Sequence, residues 1–323
     1  MRGMMGFAGA VVLACHAPAA HAENILLSND DGLTSNVVAL YHALKAAGHD
    51  VIVSIPCANQ SGMGTAVKFD GKMDALAGPC RNLAGKEGDP GAGPVTRPGF
   101  ENDFFYVNGT PVMATLFGLD VLAAKRWGRA PDLVLSGPNE GQNVGPIVLS
   151  SGTVSNAQYA ALRGLPAIAV SAGVHTTDDD GLANPKSREV AALTVKLVDH
   201  LKGKARGGAL LPQGIALNVN FPNELVSPQW RRSRIGTYRS YLVSFVDGGD
   251  PAPGAPVPGL APGTDTASPR LSIGMNQVPP TAAQARDEAA VYKKDIAVSV
   301  MQAGYEVSDK STDRWLDRAL SGL

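Results

Sequence analysis

Two adjacent carboxylates follow the first predicted strand of the chain. The run Ser-Asn-Asp-Asp-Gly at residues 28–32 places Asp30 and Asp31 at the carboxyl end of that strand, the edge where open α/β sheets bind ligands. Adjacent carboxylates repel each other, and a divalent cation that prefers oxygen ligands, such as Mg²⁺, Mn²⁺ or Ca²⁺, relieves that repulsion. A turn and helix cap built from Asn and Asp is the alternative interpretation.

Other predicted strands also end in polar loops. Asn-Gln-Ser-Gly at residues 59–62 follows the second strand, and Ser-Gly-Pro-Asn-Glu-Gly-Gln-Asn at residues 136–143 belongs to a later one. Ser-Gly-Thr at residues 151–153 stands at the start of a predicted helix, where free N–H groups and the helix dipole favour an anion such as phosphate. The alternative is that Ser151 or Thr153 only caps this helix. All these loops are expected to converge on one rim of the sheet.

The apolar periodicity predicts the elements that position these loops. Strands are expected at residues 24–28, 50–56, 104–107, 132–136, 167–171 and 215–220. Helices are expected at residues 35–47, 111–124, 154–163 and 187–202. Alternation of this kind predicts an α/β fold with a doubly wound, mostly parallel sheet and right-handed crossovers.

Two segments break the alternation. Residues 71–99 are rich in Gly, Pro and Ala, which indicates an excursion or lid, and residues 250–269 are proline-rich and expected to run extended. Residues 235–246 and 289–301 have the alternation of strands, and residues 312–320 have the pattern of a terminal helix. These late pieces are expected to form an arm or hairpin added to the sheet.

The N-terminus has the pattern of an export signal. Arg2 precedes an apolar run at residues 4–14 that is too short for a membrane span, and Ala-His-Ala at residues 20–22 provides a cleavage site. The sequence therefore predicts a cleaved signal peptide at residues 1–22 and a bacterial periplasmic location. A buried N-terminal helix is one alternative. Lipidation at Cys15, in the lipobox-like run at residues 12–15, is another, ranked lower because it leaves only a short tether.

Removal of that peptide leaves Cys57 and Cys80 as the cysteines of the mature chain. In an oxidising compartment a disulfide between them is one expectation, and two unpaired thiols are the other. The composition also limits the function. With 28 basic and 29 acidic residues the formal net charge is −1, which excludes general coating of nucleic acids, and the 44% hydrophobic content indicates a folded core. No transmembrane segment is expected.

Five sequence blocks, in matching order, resemble the SurE survival-protein nucleotidases, which are metal-dependent phosphatases of nucleoside monophosphates. The blocks are residues 25–32, 59–62, 108–111, 131–143 and 151–154. The resemblance implies a phosphomonoesterase that converts nucleoside 5′- or 3′-monophosphates to nucleoside and phosphate. It also implies a single domain at residues 23–323, with a Rossmann-like core at 23–222 and a hairpin, proline-rich loop and C-terminal helix for oligomerisation at 223–323.

The resemblance assigns roles to individual residues. It implies metal ligation by Asp30, Asp31, Ser61 and Asn139. It places Asn143, Ser151, Gly152 and Thr153 around the phosphate. The expected catalytic residues are therefore Asp30, Asp31 and Asn143, and the expected cofactor is Mg²⁺ or Mn²⁺, with Ca²⁺ as a further bound ion. The expected partners are a small phosphate ester and a second copy of the chain, in a homodimer or higher oligomer.

The chain also departs from the family pattern. Pro138 stands where the family usually has an aliphatic residue, and Met113 stands where an acid is common. These departures leave a second function open: an exported nucleotide- or metal-binding protein on the same fold that has lost turnover. A dinucleotide-binding enzyme is only weakly indicated, because Gly62 and Gly64 lack a third glycine at the required spacing. His175 suggests a second metal site or, more simply, a solvated loop.

Overall fold

The computed structural model describes residues 22–69, 71–100, 102–178, 181–248, 253–256, 268–306 and 309–321. The predicted signal peptide, including Cys15, lies outside these residues except for Ala22. Most of the proline-rich segment at residues 250–269 lies outside them as well. Within the described ranges, no helix combines the length and apolar character that crossing a bilayer requires.

Strands and helices alternate along most of the described chain. The strands are β1 (Asn24–Ser28), β2 (Asp50–Pro56), β3 (Ala92–Pro94), β4 (Phe104–Val107), β5 (Leu133–Glu140), β6 (Ala167–Ala172), β7 (Ile215–Asn220), β8 (Trp230–Ser233), β9 (Tyr241–Val246), β10 (Ala255–Pro256), β11 (Arg270–Met275) and β12 (Ile296–Gln302). The helices are α1 (Ser35–Ala46), α2 (Pro111–Phe117), α3 (Ala123–Trp127), α4 (Gly152–Leu162), α5 (Pro185–Ala205), α6 (Glu288–Val291) and α7 (Lys310–Leu320).

The main sheet is mostly parallel and is covered on both faces. Its strand order is β3-β4-β2-β1-β5-β6-β7-β12-β8. Strand β3 is antiparallel to β4 and β12 is antiparallel to β7, whereas the other neighbours are parallel. Ile25 and Leu27 pack in the core layer with α1 and α5, while Leu26 packs in the layer with α4. This is the expected doubly wound α/β fold.

The chain changes direction across the sheet beside β1. Strand β1 pairs with β2 on one side and with β5 on the other, so the connections leave in opposite directions from this point. Open α/β sheets bind ligands at the carboxyl ends of the strands at such a switch point. The end of β1, which leads into Asp30 and Asp31, lies there.

The helix expected at residues 111–124 is interrupted. It divides into α2, a turn of π-helix at Gly118–Leu122, and α3. A Cβ atom at position 118 would lie 2.5 Å from Leu26 Cδ1, so glycine lets the helix approach β1 closely. A periodicity argument cannot detect this contact, because it depends on a residue of another element.

The late pieces of the chain form the expected arm, with differences in detail. Strands β9, β10 and β11 build it as a separate three-stranded antiparallel sheet, here called the arm. The segment at residues 289–301 was expected to be a single strand, but α6 covers its start and only β12 is a strand. Within residues 250–269, the described β10 pairs with β11, so this part is not a free extended segment.

The segment at residues 71–99 packs against the sheet. Its strand β3 pairs with β4, and Leu76, Ala84 and Val95 are buried in the core. A disulfide joins Cys80 of this segment to Cys57 at the end of β2, with the two Cα atoms 4.7 Å apart. The segment is thus fixed at the edge of the rim formed by the strand ends.

Strand β5 runs longer than the expected 132–136 and contains a bulge. Its register with β6 shifts between Ser136 and Asn139, and the Gly137–Pro138 peptide bond is cis. Gly137 has a φ of 114°, and a Cβ atom there would lie 2.1 Å from the Val170 carbonyl oxygen. Only glycine fits this position, and Pro138 is part of the bulge that turns Asn139 toward the rim.

The substitution Gly137→Ala is expected to lower the free energy of unfolding by about 3 kcal/mol or more, because it adds a backbone clash to an unfavourable φ. Gly141→Ala is the matched control. Gly141 has a φ of 96°, but a Cβ atom added there would have no other atom within 4 Å, so its loss is expected to be about 1 kcal/mol. Urea unfolding of both variants measures the difference, and equal losses would contradict the packing argument.

Candidate metal and phosphate site

The two carboxylates are buried in a closed turn. Asp30 is 3% exposed and Asp31 is 4% exposed. Asn29 closes the turn, since its Nδ2 donates to the Gly32 carbonyl at 2.7 Å and its Oδ1 accepts from the Gly32 N–H at 3.2 Å. Thr34, and not an aspartate, caps α1. The turn and cap interpretation therefore accounts for Asn29 and Thr34 but leaves both aspartates without that role.

Burial makes the ionised pair costly. Desolvation raises the pKa of Asp30 above its usual value. Desolvation, followed by the negative charge of Asp30, raises the pKa of Asp31 to about 8. Compensating contacts come from Thr153 Oγ1, which donates to Asp30 Oδ1 at 2.6 Å, and from the Glu140 N–H, which donates to Asp31 Oδ2 at 3.3 Å. A bound cation would offset this cost directly.

Asn139 supplies a third oxygen. Its Nδ2 donates to the carbonyls of Glu140 and Gly141 at 3.2 and 2.8 Å, which fixes the orientation of the amide. Its Oδ1 is buried and has no hydrogen-bond partner among the described residues. Because a buried carbonyl oxygen without a partner is unfavourable, its place beside the carboxylates indicates a ligand.

The loop at residues 59–62 lies against the same turn. The Gln60 N–H donates to the Asp30 carbonyl at 2.8 Å, and Asn59 Nδ2 lies 3.5 Å from Asp31 Oδ1. Ser61 is exposed and lines the cleft that also contains Asp30, Asp31 and Asn139. The four predicted ligands thus share one cleft of about 930 Å³, and their oxygen donors fit a hard divalent cation such as Mg²⁺ or Mn²⁺.

The predicted phosphate residues divide into two groups. All four residues are buried, but Ser151 and Asn143 line the cleft, whereas Gly152 and Thr153 are not among its lining residues. Ser151 caps α4, with its Oγ accepting from the Val154 N–H at 3.1 Å, so the capping interpretation is also correct for this residue. A Cβ atom at Gly152 would lie 2.7 Å from Asp30 Cβ, so α4 begins in contact with the carboxylate turn.

Asn143 connects the residues predicted to bind phosphate with the carboxylates. Its Nδ2 donates to Ser171 Oγ at 3.0 Å and to Thr153 Oγ1 at 3.4 Å. Thr153 in turn donates to Asp30. The longer of the two Asn143 contacts is the weaker one.

A layer of buried polar residues supports Asn143, and the sequence alone had suggested no role for them. The Asn143 N–H donates to Asn220 Oδ1 at 2.8 Å, and its carbonyl accepts from Asn218 Nδ2 at 2.8 Å. Glu288 accepts from Asn218 at 3.0 Å and from the Gly145 N–H at 2.9 Å. A signal was present in β7, where Asn218 and Asn220 alternate with apolar residues and therefore face the same side.

The cleft also has walls that the sequence patterns did not identify. Arg81 of the 71–99 segment and Glu140 line it, as do Tyr241 and Leu271 of the arm. Glu140 Oε1 accepts from the Thr176 N–H at 3.1 Å, which holds the neighbouring loop. His175 lines the cleft but is exposed. Residues 179 and 180 of the acidic run beside His175 lie outside the described residues, so a second metal site at His175 stays a prediction.

Fold and site together define an α/β protein that holds a pair of buried carboxylates and an unpaired amide oxygen at the switch point of a doubly wound sheet. Residues 25–240 match the family model described as "Survival protein SurE". This chain therefore belongs to the SurE family. The crystal structure of SurE protein from Aquifex aeolicus is similar, with a TM-score of 0.63 and 25% identity over 91% of this chain and 99% of that chain.

Curated relatives carry enzyme names. A "5'-nucleotidase SurE" of Gloeobacter violaceus is 34% identical over 228 residues, which cover 69% of this chain and 74% of the relative. An "Acid phosphatase" of Yarrowia lipolytica is 33% identical over 61% of this chain, and a "5'-nucleotidase SurE" of Maridesulfovibrio salexigens is 43% identical over 46%. The matched regions span 56% and 50% of these last two proteins.

Glu288 is expected to make stability depend on pH. Burial raises the pKa of Glu288 to about 7 from 4.5, so the folded chain binds this proton more tightly than the unfolded chain. The contribution of this residue to the free energy of unfolding is therefore greatest below pH 4.5. It falls by about 3 kcal/mol as pH rises through 7. Urea unfolding of the metal-free protein between pH 5 and 8 measures the slope.

Glu288→Gln is the control, because it removes the titrating group and conserves the side-chain shape. The fall in stability between pH 5 and 8 is expected to be smaller in this variant than in the wild type. An identical slope in the two proteins would show that Glu288 does not titrate in this range.

Proposed function

We propose that this protein is a metal-dependent phosphomonoesterase that hydrolyses nucleoside 5′- or 3′-monophosphates to nucleoside and phosphate. The observation that carries the proposal is the pair of buried carboxylates, Asp30 and Asp31, beside the unpartnered Asn139 oxygen at the sheet's switch point. Membership of the SurE family and the nucleotidase and phosphatase names of relatives support it.

The proposed cation ligands are Asp30, Asp31, Asn139 and Ser61. When bound, a divalent cation neutralises negative charge on the phosphoryl oxygens and activates water for attack on phosphorus. The identity of the metal, Mg²⁺ or Mn²⁺, is part of the proposal. The ligands are all oxygen atoms, which both metals accept.

The protein's own residues would position the ester and move the proton. Thr153 holds Asp30 through its 2.6 Å hydrogen bond, and the carboxylate held in this way would accept a proton from the attacking water. Asn143 and the start of α4 at Ser151 face the cleft, where N–H donors stabilise charge on the phosphoryl oxygens. The bond between phosphorus and the nucleoside oxygen would break, and that oxygen would leave with the proton that Asp30 took from the water.

We also propose that the chain is exported to the periplasm after removal of residues 1–22, that residues 23–323 form a single domain, and that the mature protein is a homodimer or a higher oligomer. A disulfide between Cys57 and Cys80 is consistent with an oxidising compartment. Helix α7 leaves Trp315, Leu316 and Leu320 exposed, at 60%, 47% and 55%, which supports a partner for this helix.

Phosphate release by residues 23–323 from nucleoside monophosphates and p-nitrophenyl phosphate tests the activity, with Mg²⁺ or Mn²⁺ and with a chelator. Chelation is expected to abolish turnover. Asp30→Asn and Asp31→Asn are each expected to lower kcat/KM by about 100-fold or more, because they remove a metal-binding carboxylate. Asp120→Asn, at an exposed carboxylate paired with Arg163, is the control and should retain activity. Undiminished turnover in Asp30→Asn, or in chelator, would refute the metal mechanism.

Cation binding can be measured without turnover. Adding Mn²⁺ to the metal-free wild type at 100 times its Kd is expected to stabilise the fold by about 2.7 kcal/mol and to raise Tm. Asp31→Asn should show little rise, and Asp120→Asn should behave as the wild type. Differential scanning calorimetry measures the shift. A Tm rise without phosphate release under any metal would favour the alternative of a binding protein that has lost turnover.

A further inference from the structure

The cleft carries several negatively charged side chains, although its proposed substrate is an anion. Three carboxylates line it, those of Asp30, Asp31 and Glu140. Among its lining residues in the described chain, the single Lys or Arg is Arg81. The whole chain has a net charge of −1, so long-range attraction of an anionic ester is not expected. A phosphate ester entering this cleft therefore needs a local cation besides the metal.

Arg81 lies against the carboxylate turn. Its Nη1 donates to the Asp31 carbonyl oxygen at 3.0 Å. Its Cβ would be 3.6 Å from a Cβ added at Gly32, so the side chain crosses over the turn itself. Its positive charge acts on Asp31 by lowering the pKa of that carboxyl, although burial outweighs this effect. The guanidinium thus lies at the rim beside the proposed metal ligands, and its planar array of donors matches phosphate oxygens.

The surrounding segment holds Arg81 in this place. The Arg81 N–H donates to the Cys57 carbonyl at 2.8 Å, and the adjacent Cys80 is bonded to Cys57. Asn82 has a φ of 52° and its Nδ2 donates to the Leu33 carbonyl at 2.8 Å, on the far side of the same turn. These contacts therefore hold Arg81 between the end of β2 and the turn after β1.

We propose that Arg81 is a substrate-binding residue that contacts a phosphate oxygen of the ester, and that the Cys57–Cys80 disulfide holds it in the cleft. This inference rests on the proposed function, since it names the protein cation that the same site uses. The expected consequence is that phosphate affinity depends on both the guanidinium and the disulfide. The rate of the chemical step at the carboxylates is expected to depend on neither.

Steady-state kinetics of Arg81→Gln, Arg81→Lys and the control Lys86→Gln test the first part. Lys86 is exposed in the same segment and does not line the cleft, so its variant removes one positive charge elsewhere. Arg81→Gln is expected to raise KM for a nucleoside monophosphate about 10- to 100-fold and to change kcat by less than about 3-fold. Arg81→Lys should recover part of the loss, because it restores the charge without the planar array.

Inhibition by inorganic phosphate gives a second readout. Its inhibition constant is expected to rise in Arg81→Gln by a factor similar to that for KM and to stay unchanged in Lys86→Gln. A merely structural role would instead lower Tm and kcat in Arg81→Gln. If Arg81→Gln and Lys86→Gln have the same KM and phosphate inhibition, the inference is wrong even though the enzyme is active.

If the proposed function itself is wrong, the experiments give a different result. In that case the wild type releases no phosphate from any ester with either metal. Calorimetric titration of inorganic phosphate into the Mn²⁺-loaded protein then tests Arg81 directly. Weaker binding by Arg81→Gln than by Lys86→Gln supports the inference, and equal binding overturns it.

The variant Cys57→Ser/Cys80→Ser, made in the wild type and in Arg81→Gln, tests the role of the disulfide. It is expected to raise KM in the wild-type background and to add nothing in the Arg81→Gln background, because both changes remove the same contact. A wild-type KM without the disulfide would overturn this part. If the serine variant does not fold, phosphine reduction of the folded wild type and Arg81→Gln proteins, with thiols counted by mass spectrometry, gives the same comparison.

Discussion

The electrostatic cost of burying Asp30 next to Asp31 governs the organisation of this protein. Each carboxylate is almost completely removed from water, and each raises the cost of ionising the other. Their hydrogen-bond partners in the described chain include the Thr153 hydroxyl, backbone N–H groups such as that of Glu140, and the more distant amide of Asn59, and these groups carry no charge. In the proposed function a cation completes this arrangement. The surrounding loops are then best understood as the structures that keep two repelling groups in a fixed position.

Those loops come from distant parts of the chain and are held by polar contacts in the interior. The bulge in β5 turns Asn139 toward the carboxylates, and α4 begins against Asp30. Behind them, Asn143 is fixed from both ends of its backbone by Asn218 and Asn220, and Glu288 supports Asn218. Such a network is rigid only when its members are paired, which explains why so many polar side chains are buried under one rim.

The sequence allowed the strands and helices of the core to be predicted because apolar periodicity and strand–helix alternation are local signals. The common location of four residues could also be predicted, because strand ends of a parallel sheet share an edge. Asp30, Asp31, Ser61 and Asn139 do line one cleft. Their roles stay predictions. The unpaired oxygen of Asn139 could not be predicted, because it depends on the β5 bulge and on Val170 of a neighbouring strand. Arg81 was missed for a similar reason, as its position depends on a disulfide and on contacts with a turn far away in the chain.

The position of β12 in the sheet has a consequence for the cleft. Strand β12 lies between β7 and β8, although it is the last strand in the sequence of the described chain. Glu288, which supports the Asn143 layer, comes only a few residues before it. Asp30, Asn139 and Asn143 all come much earlier in the sequence than this segment. The floor beneath the cleft is therefore complete only when β12 and the residues just before it are packed against β7, so the surroundings of the cleft carboxylates depend on a distant part of the chain.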